Sequence, residues 1–287
     1  MTITSPLYSF VQMDALGSNR GLQILPVVDS PDVVFQFKVT VGSESEGNAI
    51  MATDYSLLLV NGTASITDNA SLVANTVRNY ATDSLHFVKY RLSTTEILFY
   101  WPHGVDSFHL YIGIGECFKV AVVINSGTST KMAYSNNFKR TDDNVFTTLL
   151  QYSCTEDSYG FIYCVTGGTV PNQSRVSFYL KKIPQFQDEE SIYKKSDGSI
   201  IYLKSVTNKE YSCITDYLDA PTHEKLKIAL SNDNCIIYSD TYSGSIIKNG
   251  AYEIDPLDIP GDIDIAQAKF KVFATPYNVR NNNCDNC

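Results

Sequence analysis

The residues whose types could do chemistry are seven cysteines, four histidines and a run of acids near the C-terminus. Cys284-Asp-Asn-Cys287 has the Cys-x-x-Cys spacing. That spacing holds zinc when a second close pair adds two thiolates, and serves as a redox couple at a helix start in a βαβ context. No second pair exists, because Cys154 and Cys164 lie ten residues apart. The tail pair therefore reads as a frayed end, or as a disulfide formed after release from the cell. His86, His103, His109 and His223 form no paired ligand spacing on one helix. His86 and His109 fall in strand-like runs and His223 on a helix surface, so each reads as structural. Asp255, Asp258, Asp262 and Asp264 lack the alternating acids and central glycine of a calcium loop. Pro256, Pro260 and Gly261 make that run a solvated turn, and Asp188-Glu189-Glu190 reads as a solvated face.

Ser126-Gly127 and Ser243-Gly244 read as turns, not as the glycine-flanked nucleophile elbow of a hydrolase. Gly113-Ile-Gly115 falls short of a phosphate loop or a dinucleotide fingerprint. One binding candidate remains. Tyr100 and Trp101, beside Pro102 and His103, could form a platform on which a sugar ring stacks. The competing assignment makes Trp101 a core residue that ends a strand. No catalytic, cofactor or metal site is expected, and the chain is not expected to be an enzyme.

Composition narrows the class further. The formal net charge is −9, a poor match to nucleic-acid phosphates. Hydrophobic residues make up 44% and charged residues 18%, which argues against disorder and for a surface that meets other proteins. The 19 Tyr and 14 Phe suit half-buried pleated surfaces and also protein interfaces. The longest apolar stretch, Val120 to Ile124, is too short to cross a bilayer. The N-terminus lacks the basic and apolar segments of a secretory signal, so folding in a cytoplasm with reduced thiols is expected. Cys117, Cys213 and Cys235 lie in apolar runs and read as small core residues.

The elements that must carry these residues are mostly strands. Residues 33–41 alternate Phe35, Phe37, Val39 and Val41 with polar residues, the period of a half-buried strand. Gly42 to Asn48 reads as a polar loop, and Tyr55 to Val60 as a strand closed by Asn61-Gly62. Asp68 to Tyr80 has a helical stripe. Strands follow at His86–Leu92, Glu96–Trp101, Phe108–Ile114 and Cys117–Ile124, a spacing that suggests a sandwich or barrel. Beyond a polar junction at Lys131 to Asn144, further strands are expected. Among them are Ile192–Lys195 and Ile200–Leu203, joined by a turn with the hairpin dipeptide Asp197-Gly198. Gln185 to Glu190 reads as an acidic loop. Pro221 to Leu230 is the clearest helix, with Asp219 or Ala220 as cap and Leu226, Ala229 and Leu230 as its buried stripe.

The expected architecture is mostly β: two β-sandwich or barrel-like domains, each with about one short α-helix. Residues 1–32 form an N-terminal arm or lead-in strand, 33–135 the first domain, 136–277 the second with its helix near 220–231, and 278–287 a polar tail.

The second half carries an ordered set of phrases. They begin with Tyr134-Ser-Asn-Asn-Phe138, Leu150-Gln-Tyr-Ser-Cys154 and Tyr159-Gly-Phe-Ile-Tyr163. Ile192-Tyr-Lys-Lys-Ser-Asp-Gly198, Lys209-Glu-Tyr211, Thr215-Asp-Tyr217 and His223-Glu-Lys-Leu226 follow. Tyr252-Glu-Ile254 and Ala266-x-Ala268-Lys-Phe-Lys-Val272 complete the set. Over roughly residues 108–283 the chain resembles virion proteins of phages and prophages of gut Bacteroidetes, including the crAss-like group. The resemblance implies a structural part of a neck, tail or baseplate, such as a ring or collar component. It also implies folding in the host cytoplasm and a place in the virion, with copies of itself and other virion proteins as partners. A small-molecule substrate, a membrane and nucleic acid are not expected partners. The alternative is a carbohydrate- or receptor-binding β module of a tail or baseplate, resting on Tyr100 and Trp101.

Overall fold

The computed structural model describes residues 1–4, 10–12, 25–27, 35–55, 57–62, 66, 69–80, 87–101, 112–142, 146–157, 160–165, 168–256 and 265–281. His86, His103, His109, the Pro102–Gly104 turn, most of the expected strand at Phe108–Ile114, the acids at 258, 262 and 264, and the Cys284–Cys287 pair lie outside them. The chain is mostly β, with three short helices among the described residues.

In the first half the strands are β1 (Thr2–Thr4), β2 (Phe10–Gln12), β3 (Leu25–Val27), β4 (Phe35–Thr40), β5 (Leu57–Asn61) and β6 (Thr76–Tyr80). They continue with β7 (Val88–Arg91), β8 (Glu96–Trp101), β9 (Cys117–Asn125), β10 (Thr130–Ser135) and β11 (Phe138–Arg140). One sheet has the order β1-β4-β8-β7. The other runs β2-β10-β9-β11-β3, with β5 pairing β9 and β6 pairing β5. Period-two alternation turns Phe37, Val39, Ile97, Phe99 and Trp101 of the first sheet inward, against Leu57, Leu59, Phe118, Val120, Val122 and Ile124 of the second. The Phe37 and Phe99 rings stack at 4.9 Å in the centre of this sandwich.

The first 27 residues contribute three strands to this half, since β1 pairs β4, β2 pairs β10 and β3 pairs β11. The sandwich also extends past position 135, because β11 pairs β9 and β3.

Two short helices lie among the described residues of this half. The segment expected as a polar loop at Gly42–Asn48 is largely α1 (Glu44–Ala52). Its start is a capping box: Ser43 Oγ accepts from the Glu46 amide, and the Glu46 carboxylate reaches back to the Gly42 amide at 2.9 Å. Gly47 is required there, because a Cβ would stand 2.8 Å from the Thr94 carbonyl oxygen. The helix expected over 68–80 ends early: α2 spans Asn69–Asn75, and the chain turns directly into β6. β-Branched Thr76 and Val77 favour that strand, which pairs with β5.

The second half comprises β12 (Thr148–Ser153), β13 (Cys164–Val165), β14 (Gly168–Thr169), β15 (Asn172–Val176), β16 (Phe178–Leu180), β17 (Gln185–Lys194) and β18 (Ile200–Thr215). After them come β19 (Leu218–Asp219), α3 (Ala220–Leu230), β20 (Asn234–Tyr238), β21 (Ser243–Pro256) and β22 (Ile265–Asn281). The strand order is β15-β12-β20-β21-β22-β18-β16. β15 and β16 are separated only by Ser177, so the two ends of this order are one bent stretch of chain and the sheet closes on itself. Its interior is filled by Leu150, Tyr152, Phe178, Tyr211, Cys213, Phe270 and Val272 together with the α3 stripe Leu226, Ala229 and Leu230. Asp219 caps α3 through the Thr222 amide at 2.9 Å.

His223 departs from its expected surface position. It is buried, with Nδ1 2.7 Å from the Tyr252 hydroxyl and Nε2 2.9 Å from the Ala266 carbonyl oxygen. Both ring nitrogens are thus engaged in tying α3 to β21 and β22. Cys213 and Cys235 are core residues, whereas Cys117 is only half-buried.

Candidate functional site

The two halves meet along the outer face of the β1-β4-β8-β7 sheet. Gln36 is polar in a strand whose alternate residues are apolar, a pattern that normally faces water. Here it is 3% exposed. Its Nε2 donates to the Ile162 carbonyl at 3.1 Å and to Asn172 Oδ1 at 3.0 Å, and its Oε1 accepts from the Ile162 amide at 3.0 Å. Beside it the Tyr100 hydroxyl donates to the Pro171 carbonyl at 2.7 Å. Leu98, Tyr100 and Val170 form a small apolar cluster with Val88, Tyr90, Ile162 and Val165 packed against it. Burial pushes the Tyr100 phenol up to about 12.

This geometry decides what the Tyr100–Trp101 pair can do. Trp101 is fully buried in the sandwich core, with its ring 5.0 Å from that of Phe87. Tyr100 points the other way, into the seam. Neither ring offers a face on which a sugar could stack, because each is already covered by protein. Tyr100→Phe should cost about 1–2 kcal/mol, since the Pro171 carbonyl loses its donor inside the seam. A urea titration against the parent protein checks this.

Next to the seam is a cavity of about 50 Å³, lined in part by Gln36, Ser135, Asn136, Asn172, Arg175 and Lys225. Room of that size takes a few water molecules but no sugar or nucleotide. Asn172 Nδ2 has no hydrogen-bond partner among the described residues. Lys225 and Arg175 are both buried here, and Arg175 donates to Thr147 Oγ1 at 3.1 Å. Burial lowers the Lys225 amine from its ordinary 10.5 to about 8, with Asp219 opposing the shift. A second buried amine, Lys119 on β9, is lowered to about 8 by burial. It lies over the Tyr134 ring at 5.0 Å.

These amines set a pH dependence. A lysine that titrates near 8 in the fold and near 10.5 when unfolded leaves the unfolded state holding more protons between those values, so stability rises with pH across that window. Cys235, raised to about 12, and Cys213, also raised by burial, work against the rise above the ordinary thiol value of 9.0. Tyr152, Tyr163 and Tyr252, all raised by burial, do so above 10.0. Unfolding free energy should therefore climb from pH 7.5 to about 9 and fall beyond 10. Lys119→Met should raise stability at pH 7 by about 1–2 kcal/mol and flatten the climb, as measured by urea unfolding at each pH.

The surface holds a different feature. Gln185–Glu190, expected as a loop, is the first part of β17, whose hairpin with β18 turns at Asp197-Gly198. Side chains described from Gln185 to Ile200 are all exposed. Ile183, Phe186, Ile192, Tyr193 and Ile200 are each more than half exposed. β17 pairs β18 alone, so its other edge carries no neighbour among the described residues. At the base of this arm sits Glu210, 1% exposed, which accepts from Lys271 Nζ at 2.8 Å, Gln187 Nε2 at 3.0 Å and Asn249 Nδ2 at 2.5 Å. These bonds join β17, β21 and β22 to β18 where the arm leaves the closed sheet.

The chain matches no protein-family model and no curated protein.

Proposed function

We propose that this chain is a structural protein that works through protein–protein contacts, as a neck or tail ring or collar component of a phage virion. The observation that carries the reading is the β17–β18 arm. A strand edge beside a row of exposed Ile, Phe and Tyr side chains is costly to leave in water and prone to unwanted pairing. A chain that assembles covers such a surface on its partner. The resemblance of the second-half phrases to those of phage virion proteins supports the virion as the setting, and the weakly charged, Tyr-rich composition suits an interface.

The test is the mass of the purified full-length protein by light scattering over a hundredfold range of concentration, with negative-stain imaging of the largest species. A discrete multimer of ring shape is the expected result. A monomer at every concentration overturns assembly into a ring by this chain alone.

A further inference from the structure

We infer that the free edge of β17 pairs with the same edge of a second copy, antiparallel about a two-fold axis at Ile192. The argument comes from the order of charges along the strand. β17 reads Gln185-Phe-Gln-Asp-Glu-Glu-Ser-Ile-Tyr-Lys194, followed by Lys195. A row of lysines alone would blunt the edge against pairing. Here acids occupy one side of Ile192 and lysines the other, so a two-fold rotation brings each sign opposite its complement.

The register follows from symmetry. Opposed residues in an antiparallel pair lie on one face, so a two-fold perpendicular to the sheet must place a residue opposite its own copy. With Ile192 opposite Ile192, Glu190 stands opposite Lys194 twice, and Ser191 stands opposite Tyr193 twice. Glu190, Ile192 and Lys194 then share one face, with an apolar pair at the axis flanked on each side by an ion pair. Moving the axis to Ser191 would instead put Glu190 opposite Ile192 and leave two serines at the centre. The bulge between Ser191 and Ile192 skips a residue of β18, not of β17, so the alternation along the free edge is intact.

This inference rests on the assembly reading and sharpens it. Main-chain pairing along a strand edge gives the affinity, and the facing side chains give the register. The contact is isologous: alone it makes a dimer, and with a ring contact elsewhere on the body it joins two rings face to face. An edge contact of this length is at the small end of specific interfaces, so by itself it makes a concentration-dependent dimer.

The experiment uses the full chain. Opposed Cα atoms in an antiparallel pair are about 4.5–5.5 Å apart, within the reach of a disulfide. Ile192→Cys should give a covalent dimer under mild oxidation, with a 192–192 linkage in the peptide map, while Ser191→Cys and the parent protein give none at these positions. Lys194→Glu should weaken association about tenfold or more by sedimentation, because it sets like charges opposite each other twice. Adding Glu190→Lys to it should restore association to within about threefold. These side chains are exposed, so unchanged circular dichroism keeps the comparison clean. A multimer that ignores Lys194→Glu and yields no 192–192 linkage overturns the arm pairing while leaving assembly standing. A monomer with no linkage overturns both. Linkage through Ser191→Cys in place of Ile192→Cys overturns the register.

Discussion

Trp101→Ala should lower the stability of the fold by about 3–5 kcal/mol, the range for truncating a fully buried aromatic. The indole closes the end of the sandwich core, against Phe87 and in the same cluster as Phe37, Phe99 and Phe118. The backbone cannot easily shift to fill the space, because β8 is held on both sides by β4 and β7. Thermal and urea unfolding would show the loss. A glycan array run on the parent protein separates this role from recognition: the buried ring predicts no sugar binding that depends on Trp101. A variant of parental stability would mean that the core does not close on this ring.

Gln36→Leu should cost about 2–4 kcal/mol and loosen the coupling between the halves. Leucine fills most of the volume of glutamine but returns no hydrogen bond. The Ile162 amide and carbonyl and Asn172 Oδ1 would all lose the Gln36 side chain as their partner. Other ties there include the Tyr100–Pro171 bond and the small apolar cluster around Val170. In a two-state protein the loss would appear as a uniform shift of one transition. With the seam weakened, separate transitions are expected for the sandwich and for the closed sheet. Limited proteolysis between Arg140 and Thr148 reads the same event, since the chain passes from one half to the other there. A single unshifted transition, with unchanged cleavage, would show that Gln36 does not hold the halves.

The arm makes the second half asymmetric. The main sheet of the second half closes on itself, and α3 contributes to its core. β17 is carried beyond that closure by the unusual length of β18 and β22. Glu210 stiffens the point of departure, because its three donors come from three different strands. A buried carboxylate with that many charge-assisted and amide partners holds its neighbours in one arrangement. The free edge is thereby presented in a defined direction.

Much of this protein was determined by the sequence alone. Alternation at Phe37, Val39 and Val41 marked a strand and its inward face, because side chains in a strand change sides at every residue. Asp197-Gly198 marked a hairpin, since the turn needs a backbone conformation that glycine adopts freely. Asp219 and Pro221 marked the start of α3, because cap and first-turn chemistry are local. The Ser43-x-x-Glu46 box was also local and would have revealed α1; polarity alone turned that stretch into a loop.

The tertiary structure decided the rest, for a physical reason common to every case. Burial depends on what arrives from far along the chain. Gln36 and Tyr100 sit on strand faces that look solvent-facing until Ile162, Val170, Pro171 and Asn172 cover them. Lys225 and His223 have the composition of an exposed helix face and become buried because α3 packs against β12, β21 and β22. Closure of the second sheet through the bend at Ser177 joins strands with no local signal that they are neighbours. The exposed edge of β17 is the converse. Its residues resemble those of any half-buried strand, and only the folded chain shows that no strand among the described residues pairs with that edge.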